Sequence, residues 1–243
     1  MAHPRSIQPS LSRTFRRWLA PAGRRLLGTL VRVATTEPVV ALTFDDGPHP
    51  LYTPHLLDLL ERYHARATFF LLGQHAVGQR DLVARMATTG HAIGNHTFTH
   101  IRMPQTPRWQ RWRELWLARR ALAPFASALF RPPYGGQSYG SRVDALLFGY
   151  EVVGWSYHIE DWVAQPPDRL AERLLAQMQP GSIVLLHDRL VNPRDPAAVA
   201  RTPLLTALAQ VLAQVGTRYR FVTVPELIRA GTPVRVPWFR PAL

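Results

Sequence analysis

The chain is 243 residues long, 47% hydrophobic and 10% aromatic, enough to bury a core and too apolar for disorder throughout. It has no cysteine, which excludes a disulfide framework, a thiol nucleophile, a Cys-ligated zinc and an iron–sulfur cluster. Its 29 basic residues outnumber 16 acidic ones for a net charge of +13, so an anionic partner is expected, although charge alone names none.

Every basic residue is arginine, a bias that codon usage explains as well as chemistry does. Residues 1–36 hold seven of these arginines and no carboxylate. Leu11, Phe15, Trp18 and Leu19, then Leu26, Leu27 and Leu30 after a Pro-Ala-Gly break, recur at helical spacing. This predicts a basic, amphipathic helical leader over 1–36. It either lies on an anionic membrane or cell-wall surface or packs across the base of the domain. A signal peptide is not expected, because Leu26 to Val31 is short and Arg32 interrupts it. No uncharged apolar run reaches the ~18 residues of a membrane span.

From Val39 onward two periods alternate. Strands are predicted at Val39 to Asp46, Ala67 to Leu72, Ala92 to Asn95, Leu129 to Arg131, Glu151 to Ser156, Ser182 to His187 and Arg220 to Val224. Helices are predicted at Pro54 to His64, Asp81 to Thr89, Arg108 to Ala123, Arg142 to Phe148, Asp168 to Gln177 and Pro203 to Val215. Strand followed by helix, about seven times, reads as a parallel α/β domain over residues 37–230 of roughly barrel size. Residues 231–243 read as an extended surface tail. Trp109, Trp112 and Trp116, spaced by three and four, read as the buried stripe of their helix rather than as a stacking surface for bases or sugars.

Polar residues gather at the ends of the predicted strands, where parallel α/β folds place their chemistry. The first strand ends in Asp45-Asp46-Gly47-Pro48 and the third in His96-Thr97-Phe98-Thr99-His100. The fourth ends in Arg131-Pro132-Pro133-Tyr134-Gly135, the fifth leads to Asp161-Trp162, and the sixth ends in His187-Asp188. Two histidines at i, i+4 on a helical turn face the same way. The spacing alone is common, but a carboxylate from another strand end completes a site for a divalent metal with positions left open. Asp45 and Asp46 would repel unless their work is divided, one coordinating metal and the other accepting a proton from water. His187 suits a general acid if a carboxylate holds its tautomer, and Asp161 is the candidate. Arg131 is the candidate to hold Asp45, and Trp162 and Leu185 are candidates to wall an apolar pocket.

Together these strings resemble the polysaccharide deacetylases of carbohydrate esterase family 4, the nodulation-protein-B homology domain. The likeness runs from about Val39 to Ile228 and rests on five motifs in order. They are Thr43-Phe44-Asp45-Asp46-Gly47-Pro48, His96 to His100, Arg131 to Gly135, Asp161-Trp162 and Val184-Leu185-Leu186-His187-Asp188. The resemblance implies a distorted (β/α)7 barrel that hydrolyses N-acetyl groups from N-acetylglucosamine-containing glycans, releasing acetate. It implies a divalent metal, zinc foremost and cobalt, nickel or manganese as alternatives, on Asp46, His96 and His100. Asp45 would be the base, oriented by Arg131, and His187 the acid, tuned by Asp161. The Tyr134 backbone N–H would help bind the oxyanion, and Trp162 and Leu185 would hold the acetyl methyl. A monomer associated with the cell envelope, without specific nucleic-acid binding, is expected. His158 departs from the family pattern, which often has an aspartate there.

Two rival chemistries are also written in the chain. Gly136-Gln137-Ser138-Tyr139-Gly140 matches G-x-S-x-G, with Asp161 and His187 following in the order of the α/β-hydrolases. The prolines before it, however, do not supply the strand that such an elbow needs. Two histidines and a carboxylate also suit Fe(II), but that reading leaves Asp45 and His187 without work.

Overall fold

The computed structural model describes residues 27–237. In chain order the elements are β1 (Thr29–Ala34), β2 (Val39–Asp45), α1 (Tyr52–Arg62), β3 (Ala67–Leu71), α2 (Gly73–Val77), α3 (Arg80–Thr88) and β4 (Ala92–Asn95). They continue with α4 (Arg108–Leu122), β5 (Ala126–Phe130), α5 (Tyr139–Leu147), β6 (Glu151–Val152), β7 (Tyr157–His158) and α6 (Pro167–Gln177). The last are β8 (Ile183–His187), α7 (Thr202–Val215), β9 (Arg220–Phe221), α8 (Val224–Arg229) and β10 (Thr232–Val236).

The main sheet runs β6-β5-β4-β3-β2-β8-β7, all parallel, with β9 added beside β2. β2 is buried along its whole length, as a strand covered on both faces must be, and it therefore reads as a nearly continuous apolar run. Its side chains still divide by period two. Val40, Leu42 and Phe44 face the helices with Leu56, Leu60, Leu186 and Leu208. Val39 and Ala41 face inward with Phe70, Leu129 and Ile183, and Thr43 and Asp45 continue that inner column toward the rim. The sheet thus curls into a distorted barrel, apolar at the base and polar at the mouth.

The first described segment corrects the leader. Leu30 was expected on a helix, yet Thr29–Ala34 is a strand that pairs antiparallel with β10. β1 also reaches both margins of the main sheet. Leu30 O accepts from Gly154 N at 2.7 Å, and Gly181 O accepts from Val33 N at 2.9 Å. Leu30 and Val33 are fully buried in the inner cluster, each burial contributing about 1.5–3 kcal/mol. Their burial inside the barrel outweighs helical spacing in so short a stretch. The rest of the predicted helical leader, residues 1–26, lies outside the described residues. Within the predicted tail, Thr232–Val236 is the partner strand of β1.

α4 overturns a second expectation. Its buried residues are Arg111, Glu114, Leu115, Ala118 and Leu122, whereas Trp109, Trp112 and Trp116 are 67%, 39% and 47% exposed. The inward charges are satisfied by partners: Arg111 Nε donates to Asp144 at 2.6 Å, and Glu114 accepts from the loop after β4. Helical spacing placed the three indoles on one face correctly, but that face is the outer one.

Candidate active site

Period two along β2 and β8 assembles the centre of the rim. Asp45 is the parallel register partner of His187, and Thr43 lies opposite Leu185 one step deeper. The Asp45 carboxylate is held from below by Arg131, which follows β5 and is fully buried. Arg131 Nη1 donates to Asp45 Oδ1 and to Thr43 Oγ1, each at 2.7 Å. Its Nη2 donates to Gly154 O at 2.7 Å and its Nε to Val153 O at 3.3 Å, while the guanidinium lies 4.2 Å from the Phe70 ring centroid. Burial pushes the Arg131 guanidinium below its ordinary pKa, and the Asp45 carboxylate opposes part of that shift. Such a pair is costly to break, because one charge would remain buried alone.

Asp46, His96 and His100 bring three ligand atoms within 4.8 Å of one another, all on buried residues. Both histidine Nε2 atoms face Asp46 Oδ1, at 3.4 Å from His96 and 3.2 Å from His100. The donor set fits a divalent cation on the chain's own geometry. Asp46 Oδ1 is buried without a hydrogen-bond donor. His96 Nδ1 lies 2.7 Å from the Arg131 carbonyl, an acceptor that requires the proton on Nδ1 and so leaves a lone pair on Nε2. Burial works to raise the Asp46 pKa, but the closeness of His100 and His96 holds it well below the usual carboxylate value. The other Asp46 oxygen accepts from Val191 N at 3.1 Å, and His75 Nδ1 lies 2.7 Å from the Asp46 carbonyl.

The two histidines do not share a helical turn, as their spacing suggested. They sit on an irregular loop whose backbone enters the left-handed region at Thr97 (φ 72°) and His100 (φ 65°). Asp46 (φ 73°) and Tyr134 (φ 58°) do the same. Each costs on the order of 1–3 kcal/mol and persists only where surroundings impose it. For the histidine loop those surroundings are Asn95 and Glu114. Asn95 Oδ1 accepts from Thr97 N at 2.7 Å, while its Nδ2 donates to Leu115 O and to the Tyr150 hydroxyl. Glu114 accepts from Phe98 N at 2.9 Å, Thr99 N at 2.7 Å and Thr99 Oγ1 at 2.9 Å.

Across the rim, Asp161 grips His187 twice, accepting from its Nδ1 at 3.0 Å and from its backbone N–H at 2.9 Å. Burial by itself lowers the His187 pKa; the Asp161 charge and hydrogen bond outweigh it and, with Asp46 and Asp45, raise the group to about 9. Arg201 closes this arrangement, donating to Asp161 Oδ2 at 3.2 Å and to its carbonyl at 2.8 Å. Next to His187, Asp188 is buried and pushed up to about 7, chiefly by burial, with Thr53 Oγ1 donating to it. Gly47 lies directly over this carboxylate, and a Cβ there would collide with it.

The residues expected at the substrate's methyl and oxyanion sit around the same opening. The Trp162 ring meets His187 edge-on with centroids 5.7 Å apart, Leu185 is buried one step below His187, and the Tyr134 ring lies against His100 at 4.5 Å. His158 packs on Trp162 at 4.8 Å, its Nδ1 buried without a partner. All ten residues singled out by chemistry or resemblance therefore converge on one rim. The serine of the G-x-S-x-G string takes a different part: Ser138 is the N-cap of α5, accepting from Ser141 N at 3.2 Å in a reciprocal capping box. That is a structural role. Asn95, Glu114, His75 and Arg201 were not found from the sequence. Asn95 directly precedes the histidine string without having been singled out, whereas Glu114, His75 and Arg201 belong to no strand-end string and only the fold brings them to the site.

The polysaccharide deacetylase family profile matches residues 32–153. A peptidoglycan-N-acetylglucosamine deacetylase of Bacillus cereus is 35% identical over 81% of this chain and 91% of its own length. The chain belongs to the polysaccharide deacetylase family. A chitooligosaccharide deacetylase of Sinorhizobium fredii, 37% identical over 75% of this chain and 91% of its own, is a further relative within the family. The crystal structure of a peptidoglycan N-acetylglucosamine deacetylase superposes with a TM-score of 0.74 at 29% identity, covering 84% of this chain and 94% of that one. The curled, mostly parallel α/β architecture is the family's, and the protein is a hydrolase of the deacetylase class.

Proposed function

We propose that this deacetylase removes N-acetyl groups from an N-acetylglucosamine-containing glycan, releasing acetate and a free amine. The observation that carries the reading is the division of two adjacent carboxylates. Asp46 faces both imidazoles with an oxygen that accepts no hydrogen bond, while Asp45 gives one oxygen to Arg131 and holds the other 3.9 Å from His96 Nε2. A divalent cation, zinc before cobalt, nickel or manganese, held by Asp46, His96 and His100 would supply Lewis acidity, bringing water toward a pKa of ~7 and polarising the acetyl carbonyl.

The chain's own residues would do the rest. Asp45 takes the proton of the attacking water through Oδ2, its Oδ1 being occupied by Arg131. The Tyr134 backbone N–H, presented by the left-handed turn, donates to the acetyl oxygen as it gains charge. Trp162 and Leu185 enclose the methyl group. His187, held by Asp161 through Nδ1, donates from Nε2 to the departing nitrogen, which would otherwise leave as an unstable amide anion.

The printed activities of the relatives, on peptidoglycan and chitooligosaccharide, point to envelope or oligosaccharide substrates. We assign the protein to the cell envelope on that ground, with the arginine-rich residues 1–36 as an aid to approaching anionic wall or membrane. No helix among the described residues is long and apolar enough to cross a membrane. Acetate release from chitooligosaccharides, peptidoglycan and acetylated xylan, measured on chelator-stripped protein before and after adding zinc or cobalt, tests the reading. Release restored by metal on an N-acetylated glycan supports it; release indifferent to metal contradicts it.

A further inference from the structure

The outward face of α4 has no work in the reaction, and its composition is unusual. The exposed residues Arg108, Trp109, Trp112, Arg113, Trp116, Arg119 and Arg120 occupy one side of the helix. At about 100° per residue they fall within one continuous arc. The helix against which α4 packs, α5, adds exposed Tyr139, Leu146 and Leu147. Of the eight arginines between Ile101 and Tyr150, Arg111, Arg131 and Arg142 are buried, and the two carboxylates of that stretch are Glu114 and Asp144. Both carboxylates are buried and held, Glu114 by the histidine loop and Asp144 by Arg108, Arg111 and Trp112. Arg108 and Arg120 lie over the Trp112 and Trp116 rings at 5.2 and 4.8 Å.

We propose that this tryptophan–arginine face docks the enzyme on an anionic phospholipid surface. Charge complementarity selects the occupant. A second copy would set arginine against arginine, and residues 1–26, with six arginines and no carboxylate, are equally mismatched as a cover. A polyanion in water would satisfy the arginines but give Leu146, Leu147 and the outer indoles no apolar phase. The headgroup layer of an anionic bilayer satisfies both, since indole and aliphatic groups enter the acyl boundary while guanidinium groups meet phosphate. α4 follows the rim loop and runs down the barrel wall, so Trp109 lies nearest the mouth and Trp116 roughly 10 Å further along the axis. A protein resting on this face holds its mouth sideways, open along the surface. The docking is separate from the proposed activity and is read without turnover.

The test is sedimentation of the full chain with vesicles of phosphatidylcholine alone or doped with phosphatidylglycerol, together with quenching of tryptophan emission by brominated acyl chains. It is run in the native chain and in one whose Arg5, Arg13, Arg16, Arg17, Arg24 and Arg25 are replaced by Gln, which removes the basic N-terminal contribution. In both, binding to anionic vesicles with quenching is expected. Trp109→Ser with Trp116→Ser should weaken it about tenfold and abolish most of the quenching. Arg113→Gln and Arg119→Gln should each weaken it roughly fivefold. Circular dichroism and acetate release should be unchanged in all of these. Loss of all vesicle binding in the arginine-to-glutamine background, or equal binding by the tryptophan variants, would overturn the proposal. Binding to soluble polyphosphate without binding or quenching on vesicles would overturn it in favour of a polyanion.

Discussion

Two buried arginine–aspartate pairs flank the site, and they are built alike but left in different states. Arg131 holds Asp45 by one oxygen and donates to three further acceptors, Thr43 Oγ1, Val153 O and Gly154 O. Arg201 holds Asp161, whose two oxygens are both taken, one by His187 Nδ1 and the other by His187 N and Arg201. A buried carboxylate whose arginine leaves one oxygen facing the histidine pair is equipped to take a proton. A carboxylate saturated by donors is equipped to hold an imidazole in place and keep it charged. On the proposed reading the same residue types perform opposite tasks, and the number of lone pairs left over decides which.

The largest effect that separates the pairs is expected from Arg131→Met. It strands Asp45 in the barrel interior and should cost about 3–5 kcal/mol, read as a lowered midpoint of chemical denaturation together with lost turnover. Asp161→Asn comes next. With His187 raised to about 9, its proton is present at lower pH and is lost as pH rises through that value, so activity should fall on the basic side there. Without the Asp161 charge only burial remains as the dominant cause, and burial lowers the pKa. The basic limb should therefore move down by more than one pH unit while kcat falls about 10²–10⁴-fold. A bound divalent cation lowers His187 in both proteins, so the two pH profiles are compared at one metal loading. An unmoved limb would mean that His187 is not the titrating acid.

Arg201→Gln tests the outer member of that pair more gently. Asp161 keeps both contacts to His187, so about a tenfold loss in kcat is expected, of the size seen when outer hydrogen-bond partners are removed. KM and metal content should be unchanged. The smallest effect belongs to Ser138→Ala. It removes an N-cap, lowering stability by about 1 kcal/mol, and should leave kcat untouched. A dead enzyme at that position would revive the serine chemistry.

The candidate site was legible because its residues stand where apolar strands end, in chemically unusual strings such as Asp45-Asp46-Gly47-Pro48. Their supports were not. Glu114 and Asn95 are ordinary residues until the fold lays α4 beside the histidine loop. Arg201 is reached only by a loop 40 residues after Asp161. β1 was misread because its partner, β10, lies at the other end of the chain, and no local period reports a pairing so distant. The three tryptophans of α4 show that spacing groups residues onto one face without saying which way the face looks. There the inward side was recruited for Arg111 and Glu114, which have partners to bury with.

The division of labour between Asp45 and Asp46 is tested most directly by measuring bound zinc and acetate release on the same samples of wild type, Asp45→Asn and His96→Ala. The expected result is metal near the wild-type level in Asp45→Asn with turnover reduced about 10³-fold or more, and loss of both in His96→Ala. Turnover near wild type in Asp45→Asn, or metal lost from it as readily as from His96→Ala, would contradict the assignment of one carboxylate to the proton and the other to the cation.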